Sequence, residues 1–95
     1  MIAVYASHTV SEENASKFIA AAADLIAATR KEKGNISYEL VRGTADATLF
    51  AFMEKWADRE SLDAHMQTEH FKTIVPQIKA LAGKGSGILV HEVLI

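Results

Sequence analysis

The stretch FAFMEKWADRESLDAHMQTEHF, residues 50–71, decides the fold because a strand and the start of a helix lie within it. Its first seven residues alternate in type, and Phe50, Phe52, Glu54 and Trp56 share one parity. This period of two predicts a β-strand whose two faces meet different neighbours.

The residues after this strand predict a short helix that carries a histidine. Asp58 is suited to cap the helix N-terminus, because its carboxylate accepts hydrogen bonds from free backbone amides. The spacing of Leu62, His65 and Met66 then places these side chains on one side of the helix. His70 follows five residues after His65. Both histidines therefore lie close beyond the end of an aromatic strand, where function is first sought.

Length and composition predict one domain, residues 1–95, with a limited core. Hydrophobic residues make up 49% of the chain, which is more apolar side chain than a single thin core can bury. We therefore expect a homodimer, in which a second copy buries the remainder. The net charge of -2, without a cluster of Lys or Arg, argues against nucleic acid or anionic membrane as partners. Cysteine is absent, which excludes a disulfide framework, a thiolate nucleophile and a Cys-ligated metal.

The chain shows no sequence signal for export or membrane insertion. Charged residues interrupt the longest apolar stretches, and the N-terminal MIAVYASH lacks the charged and apolar regions of a signal peptide. We therefore expect a cytoplasmic protein.

Working outward from the central stretch, periodicity predicts the remaining elements. They are a strand over residues 2–9, a helix over 12–31, strands over 35–43 and from 48, a short helix over 61–66, a helix from 68 and a strand over 88–95. Gly34 is placed to end the first helix in a left-handed conformation. The glycines at 83, 85 and 87 predict a flexible break before the last strand.

The order is βαββαβ with the second helix broken in two, which is the ferredoxin-like order of an α+β fold. Its sheet is antiparallel and carries helices on one face only. Leu49, Ala51 and Met53 make the other face of the central strand apolar as well. Two such sheets packed face to face would hide both faces, which predicts a dimeric α+β barrel.

With this order, the chain resembles the antibiotic biosynthesis monooxygenase family of dimeric α+β barrels, which includes small quinol monooxygenases. The resemblance covers nearly the whole chain. It rests on GNISYEL, FAFMEKWADRESLDAHM and TEHFKTIV, which are similar to the family's G-x-x-x-Y-E, E-x-W-x-D-x-x-A-L-x-x-H and H-F segments. The three segments in this order identify the family better than they identify a reaction.

The resemblance implies oxidation of an electron-rich phenol or quinol by molecular oxygen, with no flavin, haem or metal as cofactor. Removal of the phenolic proton raises the substrate's electron density until it can reduce oxygen. The site therefore needs a base whose pKa is near neutrality and a pocket that excludes water. Histidine meets the first need, and aromatic and aliphatic walls meet the second.

We identify His65 and His70 as the candidate catalytic residues. His65 shares its helix face with Leu62 and Met66, so it should point into a mostly apolar cavity beneath the helices. His70 is expected in the first turn of the following helix. The candidates for substrate binding are Tyr38, Phe52, Glu54, Trp56, Met66 and Phe71.

Each candidate also has a structural interpretation. His65 on an apolar face is often bonded to a backbone carbonyl, and His70 could simply pack at a helix start. Glu54 lies within a strand and would need a partner if buried, for which Arg42 or a lysine is the ordinary choice. Core or interface packing would equally explain the aromatic candidates Tyr38, Phe52 and Trp56.

No metal site is predicted from the sequence. The spacing between His65 and His70 is not the i, i+4 spacing of two ligands on one helix, and no Cys or nearby carboxylate pair completes a set. The two other histidines, His8 and His91, are predicted to be surface or interface residues without chemistry.

Three other functions stay open. Relatives that degrade haem have Trp in place of His65 and His in place of Val75, so the chain departs from that branch. Isomerisation of a small phosphorylated signal molecule, as in autoinducer-processing relatives, would need Arg or Lys near the pocket. The possible cations for it are scattered: Arg42, Lys55 and Lys72. A non-catalytic dimer that binds a small ligand also fits the sequence.

Overall fold

The structure is a computed structural model that describes residues 1–83 and 87–95. Its elements follow one another as strand, helix, two strands, two helices and a strand. They are β1 (Ile2–Thr9), α1 (Glu12–Thr29), β2 (Asn35–Arg42), β3 (Leu49–Trp56), α2 (Arg59–Met66), α3 (Glu69–Leu81) and β4 (Gly87–Glu92). This is the predicted βαββαβ order with the second helix in two pieces.

The four strands form one antiparallel sheet in the order β2-β3-β1-β4. The central strand β3 pairs with β1 over its full length, with Val4 opposite Glu54 and Ala6 opposite Phe52. On its other edge, Tyr38 of β2 stands opposite Glu54. The ferredoxin-like α+β fold predicted from the sequence is therefore confirmed.

The hydrophobic core lies between the sheet and the helices. Trp56 and Phe18 are fully buried there, and Leu25 of α1 and Ile78 of α3 close the layer from the helix side. The opposite face of the sheet stays open, because helices cover only one side. Its exposed apolar side chains are Tyr5, Val41, Leu49, Met53 and Leu89.

The caps predicted for the two shorter helices are present. The Asp58 carboxylate accepts from the backbone N–H of Ser61, and the Thr68 hydroxyl accepts from that of Phe71. Each cap satisfies an amide that has no partner within its own helix. The link between α2 and α3 is consequently only two residues long, and it holds His65 and His70 near each other.

The largest differences from the sequence prediction are at the end of α1, at the start of α2, which is Arg59 rather than residue 61, and at the end of β4. Helix α1 ends at Thr29, two residues early, and Arg30 follows as its C-cap, with its guanidinium donating to the Tyr38 carbonyl oxygen at 2.9 Å. Strand β4 ends at Glu92, where its pairing with Ile2 at the start of β1 ends. The predicted glycine break at 83–87 includes residues 84–86, which lie outside the described residues.

Among residues 1–83 and 87–95, no helix is long and apolar enough to span a bilayer.

Gly34 has the left-handed conformation expected, with φ of 91°, but it lies in the turn between α1 and β2 and does not end α1, which stops at Thr29. A Cβ at this position would also collide with the Ser61 side chain. We expect Gly34→Ala to lower the free energy of unfolding by about 1–3 kcal/mol, since it combines backbone strain with this clash. Urea unfolding measures the loss.

The matched control is Gly87→Ala, because nothing lies within 4 Å of a Cβ built there. Equal losses in the two variants would contradict the role given to Gly34.

Candidate functional site

Two cavities lie between the sheet and the helices, and they share Glu54, Phe71 and Ile88 as lining residues. The outer cavity, about 150 Å³, has as its further walls Val4, Arg59, Leu62, His65, Met66 and Val90. The inner cavity, about 60 Å³, is completed by Ala6, His8, Leu25, Tyr38, Phe52, Val75, Ile78 and Lys79. Both are mostly apolar, as a small flat substrate would require.

His65 lies in the last turn of α2 and lines the outer cavity. It is 1% exposed, so the expectation that it faces a mostly apolar cavity is confirmed. Three aromatic rings enclose it: its ring centroid is 4.6 Å from that of Trp56, 5.0 Å from Phe71 and 5.5 Å from Tyr38. These contacts fix the imidazole in one place.

A carboxylate from outside the central stretch binds both candidate catalytic histidines. Oε2 of Glu32 lies 2.7 Å from Nδ1 of His65 and 2.7 Å from Nε2 of His70. Glu32 belongs to the turn between α1 and β2, whereas the histidines flank the link between α2 and α3. We call these three residues the His–Glu triad.

The triad sets the protonation pattern of His65. An ionised carboxylate only accepts hydrogen bonds, so the hydrogen of neutral His65 has to be on Nδ1. Its lone pair is then on Nε2. Burial lowers the pKa of His65 from its ordinary value of 6.5, outweighing the hydrogen bond and charge of Glu32, which raise it. The result is a neutral, oriented imidazole, as a general base requires.

Glu54 is the second titratable group of the cavities. It is 7% exposed and accepts a hydrogen bond from Nε1 of Trp56 at 3.0 Å. Burial raises the pKa of Glu54 to about 7, against the lowering effect of the Trp56 bond, and the charge of Glu32 raises it further. A carboxyl group with this pKa exchanges a proton near neutral pH.

The salt bridge expected for Glu54 is not found among the described residues. Arg42, its expected partner, instead places its guanidinium 4.7 Å from the ring centroid of Phe50. The sequence predicted a cation as the partner of Glu54. The donor is instead the indole N–H of Trp56, two residues along the same strand.

Tyr38 faces the inner cavity and remains protonated. Burial raises the pKa of its phenol far above the ordinary value, and the nearby charges of Glu54 and Glu32 raise it further. A phenol that keeps its proton acts as a hydrogen-bond donor, so Tyr38 could hold a substrate oxygen but not take a proton.

The structure brings most of the predicted site residues together. Six of the eight line at least one of the two cavities: Tyr38, Phe52, Glu54, His65, Met66 and Phe71. Trp56 donates a hydrogen bond to Glu54, and its ring packs against the imidazole of His65. His70 lines neither cavity; it binds Glu32, and its ring centroid lies 6.2 Å from that of His65.

Sequence reasoning missed Glu32 and misplaced His8. Glu32 follows a helix C-terminus, where a negative side chain is unfavourable, and this signal could have indicated a partner elsewhere. His8 was predicted at the surface or at an interface. It lies instead on the helix side of the central strand β1, with its ring between Phe18 and Phe52, and its buried Nδ1 has no hydrogen-bond partner among the described residues. Its parity with Val4 and Ala6 gives this position.

Glu54 should make stability depend on pH. A carboxyl whose pKa is raised by folding contributes stability below its ordinary pKa of 4.5, and this is lost as the pH rises through about 7. Glu54→Gln keeps an acceptor for Trp56 and cannot ionise. We expect the variant to gain on the order of 3 kcal/mol over the wild type between pH 4.5 and 8.

Urea unfolding at a series of pH values measures this gain. Glu39→Gln, an exposed glutamate in β2, is the matched control and should follow the wild type. A Glu54→Gln curve parallel to the wild type would contradict the raised pKa.

Comparison with known proteins agrees with the fold and the motifs. A family model described as "Antibiotic biosynthesis monooxygenase" matches residues 1–77. YcnE of Bacillus subtilis (strain 168), a candidate monooxygenase, is 32% identical over 81 residues, which cover 85% of each chain. A conserved protein from Methanosarcina mazei Go1 is 31% identical with a TM-score of 0.92, over 95% of this chain and 89% of that one.

A crystal structure of an antibiotic biosynthesis monooxygenase matches with a TM-score of 0.92 and 29% identity, over 100% of both chains. The family model covers most of the chain, and the relatives cover it at about 30% identity. The chain therefore belongs to the antibiotic biosynthesis monooxygenase family.

Proposed function

We propose that the protein is a monooxygenase that oxidises a small phenol or quinol with molecular oxygen and without a bound flavin, haem or metal. The observation that carries this proposal is His65, a buried neutral imidazole that Glu32 orients at the wall of an apolar cavity. Family membership supports the reaction class, and the outer cavity suits a substrate of about one ring.

The proposed reaction begins with proton transfer. Nε2 of His65 takes the phenolic proton, and the Nδ1–H bond to Glu32 stabilises the imidazolium that forms. Tyr38 donates a hydrogen bond to a substrate oxygen, and the aromatic walls align the ring. The electron-rich phenolate then reduces oxygen directly.

The electrons balance without a further reductant. A hydroquinone and one O₂ give a hydroxyquinone and one water: one oxygen atom enters the ring as a new C–O bond, and the other leaves as water. The quinol itself supplies the electrons. Glu54, which lines both cavities and has a pKa of about 7, then returns a proton to the reduced oxygen as the O–O bond breaks.

Oxygen uptake tests this proposal. The wild-type protein in EDTA-treated buffer should consume oxygen with at least one member of a hydroquinone panel, forming the hydroxyquinone. His65→Gln should lose about 10²-fold or more in kcat/KM, since general-base catalysis contributes about 10²–10⁴-fold. Circular dichroism checks that the variant is folded.

Lys17→Gln is the control, because Lys17 is an exposed residue of α1 that lines neither cavity and does not lie on the open face of the sheet. No uptake by the wild type across the panel would defeat the proposal. So would a folded His65→Gln that is as active as the control.

We further propose that two copies of the chain pair through the open face of the sheet. Tyr5, Met53 and Leu89 lie next to one another in the register of β3, β1 and β4, and all three are exposed. Burying such a contiguous apolar face is favourable at roughly 25 cal/mol per Å². The same face also carries polar side chains: Ser37, Glu39, Lys55 and His91.

A charge on this face should break the pairing. We expect Met53→Asp to convert a dimer into a monomer in sedimentation velocity, because the pairing would bury the new carboxylate without a partner. Ile19→Asp, on the exposed side of α1, is the control and should keep the wild-type mass. A monomeric wild type would refute the proposal.

A further inference from the structure

The His–Glu triad gathers three ligand-bearing side chains from three separate elements. Glu32 comes from the turn after α1, His65 from the last turn of α2 and His70 from the first turn of α3. One ligand atom from each lies within 4.8 Å of the other two. The i, i+4 rule for two histidines on one helix does not apply, because the two histidines stand on different helices.

Both imidazoles are aimed at the same point. One nitrogen of each ring lies 2.7 Å from the same carboxylate oxygen, Oε2 of Glu32. A cation at that point needs Zn–N distances of about 2.0–2.1 Å and a carboxylate oxygen at about 2.0–2.2 Å. A rotation of the Glu32 side chain and a closing of each ring by about 0.6 Å would provide them.

We propose that the His–Glu triad is a binding site for a divalent transition-metal cation, with Zn²⁺ as its probe. Two imidazole nitrogens and one carboxylate oxygen form a known zinc ligand set that leaves a fourth position for water. The site also has an approach from solvent. The His70 side chain is 23% exposed and that of Glu32 is 12% exposed, whereas His65 is buried on the far side.

Charge favours the cation as well. Glu32 carries the negative charge of the triad, and neutral imidazoles are good ligands for zinc. No cation has to be displaced, since the two basic neighbours of Glu32, Lys31 and Lys33, are exposed and are not among its partners in the described structure.

Occupancy of this site would switch off the proposed oxidation, a consequence that rests on the proposed function. A metal on Nδ1 of His65 displaces the hydrogen that Glu32 now accepts. The neutral imidazole then carries its hydrogen on Nε2, and this atom can no longer take a proton from a phenol. The metal would therefore act as a reversible inhibitor rather than as a cofactor.

Metal binding is measured first, without reference to activity. Zn²⁺ is titrated calorimetrically into EDTA-treated, dialysed protein, and Co²⁺ is followed by its visible ligand-field bands. We expect one site per chain in the wild type and at least a tenfold weaker site in His70→Gln and in Glu32→Gln. At a free Zn²⁺ concentration of 100 times Kd, Tm should rise on the order of 10 °C.

His91→Gln, which removes an exposed histidine outside the triad, is the matched control and should bind Zn²⁺ as tightly as the wild type. His70 lies outside the cavities, so His70→Gln keeps the proposal testable should Glu32→Gln fail to fold. No binding by the wild type would overturn the proposal. Equal affinity in the wild type and in a folded His70→Gln would also overturn it.

The two proposals fail separately. If no quinol is oxidised but Zn²⁺ binds with the expected dependence on His70 and Glu32, the metal site stands and the proposed oxidation does not. If oxidation is observed, Zn²⁺ should inhibit the wild type with an apparent Ki equal to the calorimetric Kd. Undiminished oxidation by the Zn²⁺-loaded protein would overturn the switch.

Discussion

The strand β3 pairs along both edges and buries large side chains on one face, and this double constraint sets the rest of the structure. Because side chains alternate with a period of two, a slip of one residue would exchange Phe52 for Met53 in the core. The register is therefore fixed on both edges. It also carries Glu54 inward, between Phe52 and Trp56, so the most apolar layer of the molecule contains a carboxyl group by necessity of the register.

Local rules were sufficient for most of the fold. Strand parity, the caps at Asp58 and Thr68, and the left-handed glycine at 34 depend on neighbours in sequence, and the structure has them all. The ends of α1 and β4 depend on tertiary contacts instead. Arg30, just after α1, donates to a carbonyl on β2, and β4 ends opposite Ile2, the first residue of β1.

The site likewise has features that follow from neighbours in sequence, which could be predicted, and features that follow from tertiary contacts, which could not. The helical spacing of Leu62, His65 and Met66 places His65 at the cavity, and that inference needed no distant residue. The partner of His65 lies 33 residues earlier in the chain, and only the packing of α1 beside α3 brings it close. Periodicity carries no information about which side chain will meet another across such a separation.

Burial has opposite consequences for the two kinds of acid–base group in the cavities. It lowers the pKa of His65 and raises that of Glu54, because in each case it disfavours the charged form. Near neutral pH, the imidazole is thus mostly neutral, and the Glu54 carboxyl group is divided about equally between its two forms. Both groups can therefore move a proton once an apolar ring has entered the cavities.

The outer cavity has one wall made by an edge strand. Ile88 and Val90 of β4 line it, yet they remain 61% and 43% exposed, because no helix packs closely on β4 in the described part of the chain. Core residues resist replacement, since a lost or added methylene is felt throughout a packed layer. Ile88 and Val90 are not packed on all sides, so replacing them should cost less stability than replacing a core residue. These two positions can therefore change at small cost in stability, so the fold can be inherited intact while the shape of the outer cavity diverges.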